Sequence, residues 1–383
     1  MRFHLTETEG RARTGAFDTA HGRVETPAFM PVGTQGSVKA VEHRELEEIG
    51  VQIILGNTYH LYLRPGPDVV GKAGGLHAFT GWNGPILTDS GGYQVFSLTE
   101  LRTIEENGVR FRSHLDGSEH MFTPESVVDI QRALGSDIMM VLDECPPYPS
   151  AFEYAKESNE LTLRWARRCR EHAERQGPMH GQRQDLFGIV QGGTHAELRE
   201  RSALELVEMD FDGYALGGLA VGEPPEAMYE VVERCESILP AEKPRYLMGV
   251  GTPENLLEAI DRGMDMFDCV MPTRNARNGM LFTRNGSLNI RNAMFKADFS
   301  PIDSECGCYT CSRHTRAYLR HLFQAKEILA LQLATLHNLF FYLGLMRDAR
   351  DSILNHTFSE WKRTQLQRMN KQSALHTESG RSI

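Results

Sequence analysis

The sequence predicts an α/β fold built as a (β/α)8 TIM barrel, with an inserted hairpin and a C-terminal segment of different character. Short apolar runs of about four residues recur along the chain, and amphipathic stretches separate them. Such runs are typical of parallel strands that are buried on both faces. Because eight of them alternate with helices, a closed barrel is favoured over an open sheet.

Eight strands and several helices can be assigned in chain order. The predicted strands are residues 28–32, 52–55, 85–88, 138–142, 187–190, 213–216, 246–248 and 266–267. Helices are predicted at 197–209 and 225–239, where apolar residues recur every three or four positions. Thr123 and Thr252 are each followed by Pro and Glu. In that pattern the Thr caps the N-terminus of a helix, Pro is the first helical residue, and the Glu interacts favourably with the positive end of the helix dipole.

Two stretches depart from the alternation. Residues 98–121 hold Asn107-Gly108 and Asp116-Gly117 between short mixed runs, which indicates an inserted hairpin. Beyond residue 270 a basic, cysteine-containing segment begins. The sequence therefore predicts a barrel core with N-terminal strands over 1–270, a second subdomain packed on it over 271–371, and a flexible polar tail over 372–383.

The composition limits the classes of protein to which the chain can belong. Its 383 residues are 40% apolar and 24% charged, with a net charge of −10, which suits a large core and excludes a polycation that coats nucleic acid. Seven cysteines, an odd number, argue against a disulfide framework. The first residues contain no apolar run, so no secretory signal is expected. Residues 328–346 could span a bilayer, but their polar side chains favour a buried helix. We expect a soluble, cytoplasmic protein that does not contact a membrane.

Polar or small residues follow the predicted strands, at the end of the barrel where active sites of this fold lie. They are Gly33, Asn57, Asp89, Asp143, Gln191, Gly217, Gly218, Gly249 and Asp268. An Asp after a strand most often caps the next helix, but three carboxylates at one rim favour a polar pocket. Two carboxylates in different environments suit nucleophilic and acid–base work at an acetal-like carbon. A third acid beside Gln191 suits the edge of a purine.

Three cysteines within six residues predict a structural zinc site, because thiolates at this spacing can share one tetrahedral ion. They are Cys306, Cys308 and Cys311. The fourth ligand is to be chosen among His314, His321 and His337. His314 is the local choice, whereas His337 lies in the apolar stretch, where metal ligation would explain a buried imidazole. The other four cysteines are expected to be buried apolar groups.

The segment that contains these cysteines is also basic. Residues 271–330 carry nine Lys or Arg against four Asp or Glu, in a chain that is acidic elsewhere. A local excess of positive charge immediately after Asp268 suggests that a polyanion docks beside the rim. A solvated basic face is the alternative.

Four motifs, in this order, resemble those of bacterial tRNA-guanine transglycosylases, the queuine tRNA-ribosyltransferase family. They are Thr88-Asp89-Ser90-Gly91-Gly92-Tyr93-Gln94, Gly188-Ile189-Val190-Gln191-Gly192-Gly193, Leu216-Gly217-Gly218-Leu219-Ala220-Val221-Gly222-Glu223 and Phe267-Asp268-Cys269-Val270-Met271-Pro272-Thr273-Arg274. The resemblance spans residues 3–370 and includes the cysteine cluster followed by His337.

The resemblance implies exchange of guanine at the wobble position (34) of tRNAs with G-U-N anticodons, those for Asp, Asn, His and Tyr. The incoming base would be 7-aminomethyl-7-deazaguanine (preQ1), so the reaction would be a step in queuosine biosynthesis. Asp268 would attack C1′ of the ribose to give a covalent RNA–enzyme intermediate, and Asp89 would be the general acid–base. Cys145 and Val221 match the bacterial pocket type, which favours the aminomethyl base. Family members commonly work as homodimers.

The resemblance also implies a set of binding residues. Asp143, Gln191 and Gly218 would hold the purine edge and Tyr93 would stack on its ring, with further base contacts from Ser90, Gly91, Gly92, Gly217, Leu219 and Met248. RNA contacts would come from Gly249, Val250, Gly251, Thr252, Pro253, Glu254, Asn255, Thr273, Arg274, Asn275, Ala276 and Arg277. One structural Zn²⁺ per subunit would be held by Cys306, Cys308, Cys311 and His337.

Two other functions stay open at this point. A barrel hydrolase could use the same carboxylates to cleave nucleosides to the free base. A silent tRNA-binding subunit could keep the fold without the chemistry, although such a subunit would not need both Asp89 and Asp268.

Overall fold

The computed structural model of the chain describes residues 1–97 and 102–379, and for residues 96–97 and 371–379 it describes the backbone alone. An antiparallel sheet opens the chain, with strands β1 (Phe3–Glu9), β2 (Ala12–Thr19) and β3 (Gly22–Thr26). The barrel strands follow as β4 (Ala28–Met30), β5 (Ile54–Gly56) and β6 (Ile86–Thr88).

An inserted sheet comes next, formed by β7 (Arg102–Glu105), β8 (Gly108–Arg112) and β9 (Glu119–Phe122). The barrel then continues with β10 (Ile138–Met140), β11 (Asp185–Val190), β12 (Gly213–Leu216), β13 (Arg245–Leu247) and β14 (Met266–Asp268). A hairpin of β15 (Met280–Thr283) and β16 (Gly286–Asn289) lies beyond it.

The eight barrel strands are parallel and pair in the order β4-β14-β13-β12-β11-β10-β6-β5. The chain just after β4 joins the two ends: Gly33 N–H donates to Leu55 O at 2.7 Å, and Leu55 N–H donates to Pro31 O at 3.0 Å. The predicted TIM barrel is therefore confirmed. Each predicted strand coincides with an observed one, and the ends differ by no more than two residues.

Helices cover the barrel from outside. Along the chain they are α1 (His43–Glu48), α2 (Thr58–Leu63), α3 (Pro67–Lys72), α4 (Leu76–Thr80), α5 (Gly92–Ser97), α6 (Pro124–Leu134), α7 (Phe152–Arg175), α8 (Ala196–Glu208), α9 (Pro225–Glu236) and α10 (Pro253–Asp261). The two predicted caps are present, since Thr123 accepts a hydrogen bond from Ser126 N and Thr252 accepts one from Asn255 N. Each cap satisfies a backbone donor that the first helical turn leaves without a partner.

The insertion between β6 and β10 is larger than the predicted hairpin. β8 pairs antiparallel with β7 and also with β9, so a third strand joins the hairpin. This inserted sheet is tied to α2 by the Tyr59 hydroxyl, which contacts His114 Nδ1 at 2.7 Å. Part of the predicted hairpin, residues 98–101, lies outside the described residues.

The C-terminal segment consists of α11 (Met271–Arg277), the β15–β16 hairpin, α12 (Tyr309–Arg313), α13 (Arg316–Ala325), α14 (Ile328–Leu354) and α15 (Phe358–Ser379). It has a small core of its own, in which Leu281, Ile302 and Leu319 are buried. The division of the chain at residue 270 and the flexible tail stay predictions. Residues 380–383 of that tail lie outside the described residues.

Helix α14 contains residues 328–346, for which a membrane span was the alternative to a buried helix. By length and composition it could cross a bilayer, yet it is mostly buried and packs in both cores. The buried Asn338 of this helix has partners: it accepts from Phe282 N–H and donates to the carbonyl oxygens of Pro272 and Met280, each at 3.0 Å. The prediction of a buried helix is therefore confirmed.

Candidate active site

A cavity of about 390 Å³ opens at the C-terminal ends of the barrel strands. It brings together the three predicted carboxylates, Asp89 after β6, Asp143 after β10 and Asp268 at the end of β14. Most of the predicted base contacts also line it: Ser90, Tyr93, Gln191, Gly217, Gly218, Leu219 and Met248. The barrel positions these groups together because parallel strands all end at the same rim.

The Asp89 carboxylate is held by four donors. Oδ1 accepts from the backbone N–H groups of Thr58, at 2.8 Å, and Gly91, at 3.1 Å. Oδ2 accepts from Asn57 Nδ2 at 2.5 Å and Gln94 Nε2 at 2.8 Å. Burial raises the pKa of Asp89 above its ordinary value, against the lowering effect of these hydrogen bonds. The group is therefore rigidly oriented and is disposed to carry a proton more readily than an exposed Asp.

Asp268 has a different environment, on a strand three places from β6 around the barrel. Its Oδ1 accepts from the Tyr246 hydroxyl at 2.6 Å and from Gly249 N–H at 2.8 Å. Within the described part of the chain, Oδ2 accepts no hydrogen bond. Burial raises the pKa of Asp268, and the two hydrogen bonds oppose that shift. Asp268 therefore has one oxygen held by two donors, and its Oδ2 is available to act as a nucleophile.

Asp143 and Gln191 form the third polar group of the cavity. Asp143 accepts from Gln191 Nε2 at 2.7 Å and from Ser90 Oγ at 3.2 Å. Burial, and then the neighbouring charge of Asp89, raises the pKa of Asp143 to about 6. Gln191 is fully buried, and its Oε1 has no hydrogen-bond partner among the residues that the structure describes. A ligand N–H would satisfy that oxygen, because buried polar atoms are otherwise paired.

Glycines let the backbone approach this group closely. Gly218 has φ +65°, and a Cβ there would collide with Gln191 Oε1. A Cβ on Gly92 would lie 2.8 Å from the Asp143 carbonyl oxygen. In the described residues, the N–H groups of Gly218 and Leu219 donate no hydrogen bond. They are donors available to a carbonyl oxygen of a bound base.

Tyr93 lies at the mouth of the cavity with 59% of its surface exposed, as a ring that stacks on a ligand requires. Leu219 and Met248 supply apolar wall. Gly91 and Gly92 do not line the cavity, and they act on it through their backbone: Gly91 N–H donates to Asp89 and Gly92 N–H donates to Ser90 Oγ.

The two predicted RNA-contacting segments both leave this rim. Residues 249–255 run from Gly249, which lines the cavity, to the first turn of α10, where Asn255 accepts from the Tyr229 hydroxyl at 2.7 Å. Residues 273–277 lie on α11, directly beyond Asp268; Arg274 is exposed and lines the cavity. Four of the predicted contacts have buried side chains, Val250, Pro253, Thr273 and Ala276.

Four predicted metal ligands come together in the C-terminal segment. His337 Nδ1 lies 3.8, 3.5 and 3.4 Å from the Sγ atoms of Cys306, Cys308 and Cys311. These distances match the edge of about 3.6 Å that a tetrahedron of zinc–sulfur and zinc–nitrogen bonds requires. His337 Nε2 lies 2.7 Å from Phe282 O, so it carries the proton and leaves Nδ1 as a ligand.

The donor set therefore fits a closed metal site, and the four residues could hold one ion. His314 is outside the cluster and packs against the rings of Tyr309 and Tyr318. Of the fourth ligands that the sequence left open, the structure selects His337.

Several residues of the site were not predicted to act in it, among them Tyr246 and Asn57. Tyr246 was assigned only to a buried strand, because an apolar run gives no sign that a hydroxyl points at a carboxylate. Asn57 was placed at the rim without a role, and the structure shows it bonded to Asp89. The role of Asn57 could have been predicted from its position directly after a strand. No feature of the sequence could have predicted the role of Tyr246.

Known proteins resemble this chain over most of its length. Residues 8–371 match the family model described as TGT, queuine tRNA-ribosyltransferase. A queuine tRNA-ribosyltransferase of Caldanaerobacter subterraneus subsp. tengcongensis is 58% identical over 364 residues, which cover 94% of this chain and 96% of the relative. A queuine tRNA-ribosyltransferase of Thermoanaerobacter pseudethanolicus is 56% identical, over 95% of this chain and 96% of the relative. One of Nitratidesulfovibrio vulgaris is 58% identical, over 94% of this chain and 96% of the relative.

Proposed function

We propose a specific exchange reaction for this chain, which belongs to the queuine tRNA-ribosyltransferase family and is therefore a tRNA-guanine transglycosylase, a pentosyltransferase. It would exchange guanine for 7-aminomethyl-7-deazaguanine (preQ1) at position 34 of tRNAs with G-U-N anticodons. The reaction would be a double displacement through an Asp268–RNA ester. It would form one step of queuosine biosynthesis.

One observation carries the chemical part of this proposal: of the three carboxylates in the cavity, Asp89 and Asp268 differ in the number and placement of the hydrogen bonds that they accept. Asp89 accepts four hydrogen bonds, whereas Asp268 accepts two, both on Oδ1. A carboxylate with a free oxygen suits nucleophilic attack, and one held by donors on both oxygens suits proton transfer from a fixed position. We therefore assign the nucleophile to Asp268 and the general acid–base to Asp89.

In the first displacement, Asp268 Oδ2 forms a bond to C1′ of the nucleotide and the C1′–N9 bond breaks. The electron pair of that bond leaves with guanine, which Asp89 protonates. The product is a covalent ester between Asp268 and the ribose. Tyr246 keeps its hydrogen bond to the other carboxylate oxygen and so holds the reacting one in place.

In the second displacement, Asp89 takes the N9 proton of the incoming base. The base N9 then attacks C1′ and the Asp268 carboxylate leaves, so the configuration at C1′ is retained after two inversions. Both bases would occupy the same place, with their N–H donors on Asp143 and their carbonyl oxygen on the N–H groups of Gly218 and Leu219. Tyr93 would stack on the purine ring.

The acidic chain would meet tRNA through the basic segment that follows Asp268. Arg274 and Arg277 lie one helical turn apart on α11 beside the cavity. Arg274 is exposed and lines the cavity, so its guanidinium is available to a phosphate. A wobble base reaches the cavity only when it is turned out of its stack, which single-stranded anticodon nucleotides permit.

Zinc is the metal that the Cys306, Cys308, Cys311 and His337 set would hold. With all four positions filled by protein, its contribution would be to folding of the C-terminal segment and not to the exchange. We also propose that the protein acts in the cytoplasm as a homodimer.

The test uses unmodified tRNA with a G-U-N anticodon that carries radiolabelled guanine at position 34. With the enzyme alone, release of guanine is expected to stop at about one equivalent per active site, because the covalent ester reacts further only with an incoming base. Added preQ1 should restore turnover. Continuous release without added base would establish a hydrolase. No release under either condition, with tRNA still bound, would establish a silent binding subunit.

A further inference from the structure

Arg199, on α8, is a charged residue in the protein interior with an exposed fraction of 0%. Its Nε donates to Gly193 O at 2.7 Å, its Nη1 to Val190 O at 2.8 Å and its Nη2 to Gly218 O at 3.5 Å. In the part of the chain that the structure describes, it forms no ion pair with a carboxylate. The three acceptors are all main-chain carbonyl oxygens.

A buried cation without a counter-ion destabilises the folded state, since desolvation is not offset by an opposite charge. Two other buried arginines show the usual solution. Arg13 pairs with Asp265 at 2.5 Å, and Arg245 pairs with Glu236 at 2.9 Å. Both belong to the other end of the barrel, where neither lines the cavity. Arg199 therefore does something that folding stability alone does not explain.

The three carbonyl groups lie at the end of β11, where Val190 is the last residue, and in the loops that follow β11 and β12. Val190 and Gly193 flank Gln191, and Gly218 carries one of the free N–H donors described above. Gln191 Oε1 lies so close to Gly218 that no Cβ fits between them. The relative position of these two loops thus decides whether Gln191, Gly218 and Asp143 face one base at once.

We infer that Arg199 is a positioning residue for the exchanged base, because it joins the loops that carry Gln191 and Gly218. The inference rests on the base site given under the proposed function. Arginine suits this task because its planar guanidinium reaches three acceptors in fixed directions. A lysine would keep the charge but present its donors from one point, and would hold fewer of the carbonyl groups.

The experiment compares Arg199→Lys with Arg245→Lys, a matched change of a buried arginine at the other end of the barrel. KM for guanine, KM for tRNA, kcat and Tm are measured for both and for the unchanged enzyme. For Arg199→Lys we expect KM for guanine to rise about tenfold, with KM for tRNA within about twofold of its starting value, because a charge-assisted hydrogen bond is lost at the base site alone. For Arg245→Lys we expect a lower Tm and an unchanged KM for guanine.

An unchanged KM for guanine in Arg199→Lys, or an equal rise in Arg245→Lys, would overturn the inference. If Arg199→Lys does not fold, Arg199→Gln is measured in the same way. Weaker guanine binding by its folded fraction supports the inference, and unchanged guanine binding overturns it. Failure of the proposed function is distinguishable, because the unchanged enzyme would then show no exchange in the same assay.

Discussion

Tyr246 and Asp268, on the adjacent barrel strands β13 and β14, are joined by a 2.6 Å hydrogen bond from the phenol to Oδ1 of the carboxylate. Burial, and then the nearby Asp268 charge, raises the pKa of Tyr246 well above its ordinary value. The phenol therefore stays protonated at neutral pH and donates. Together with Gly249 N–H it occupies one carboxylate oxygen and leaves the other to react.

Replacing Tyr246 by Phe should slow the exchange without weakening base binding. The variant loses one hydrogen bond to a charged group, which contributes about 1.5–3 kcal/mol, so kcat should fall roughly ten- to hundredfold. KM for guanine should stay within about twofold, since Tyr246 is not among the base-edge groups. Steady-state exchange kinetics measure both. Tyr214→Phe, a buried tyrosine of β12 that does not line the cavity, is the control; an equal fall in kcat there would show a general packing effect.

Guanine binding should depend on pH through Asp143. Because its pKa is raised to about 6, the group carries a proton below that pH and cannot accept N–H donors from the base with both oxygens. Affinity should therefore rise as pH increases through 6 and level off above 7. Below the pKa, the loss should approach about tenfold per pH unit. Equilibrium titration with guanine between pH 5 and 8 measures it.

The matched variant for that titration is Asp143→Asn, which has no proton to lose. It should bind guanine weakly at every pH and give a flat profile. A profile with the same slope in both proteins would assign the titration to another group and remove Asp143 from the base edge.

Removing the His337 imidazole should empty the metal site. His337→Ala leaves three thiolates and a cavity, so bound zinc per chain should fall from one towards zero, and Tm should fall by more than about 5 °C because metal binding contributes to folding. Elemental analysis and thermal unfolding measure the two effects. His314→Ala should retain its zinc; loss of metal from His314→Ala with retention in His337→Ala would reverse the ligand assignment.

The barrel was predictable because its signal is local. A run such as 213–216 is apolar at every position, and burial on both faces of a parallel strand requires that. The ends of the strands were predicted less exactly. β11 begins at Asp185, a charged residue that an apolar pattern does not include, and in the folded protein its side chain is buried in ion pairs with the N-terminus and Arg183. The third strand of the insertion, β9, was missed because Glu119 and His120 give it little apolar character.

The candidate site was predictable where a residue type follows a strand end. Asp89, Asp143 and Asp268 could be placed at one rim on that ground, and the structure brings all three into one cavity. What could not be predicted was the hydrogen bonding that distinguishes them. The contrast between four donors on Asp89 and two on Asp268 depends on Asn57, Thr58 and Tyr246, which the fold brings from other strands and turns.

The buried Arg199 illustrates the same limit. In the sequence it is one of several charged residues of α8, and its neighbours Glu197, Glu200 and Arg201 give no sign that its side chain turns inwards. The helix phase places it towards the barrel, but the carbonyl groups that it contacts lie in two loops that meet only in the folded protein.

The most direct test of the central claim is incorporation of radiolabelled guanine into unmodified tRNA with a G-U-N anticodon, by the unchanged enzyme and by Asp268→Asn. The amide keeps the shape of the side chain and can still accept from Tyr246, but it is a poor nucleophile. We predict incorporation by the unchanged enzyme and none by Asp268→Asn, with tRNA binding intact in both. Incorporation by Asp268→Asn at a comparable rate would contradict the assignment of Asp268 as the residue that bonds to the RNA.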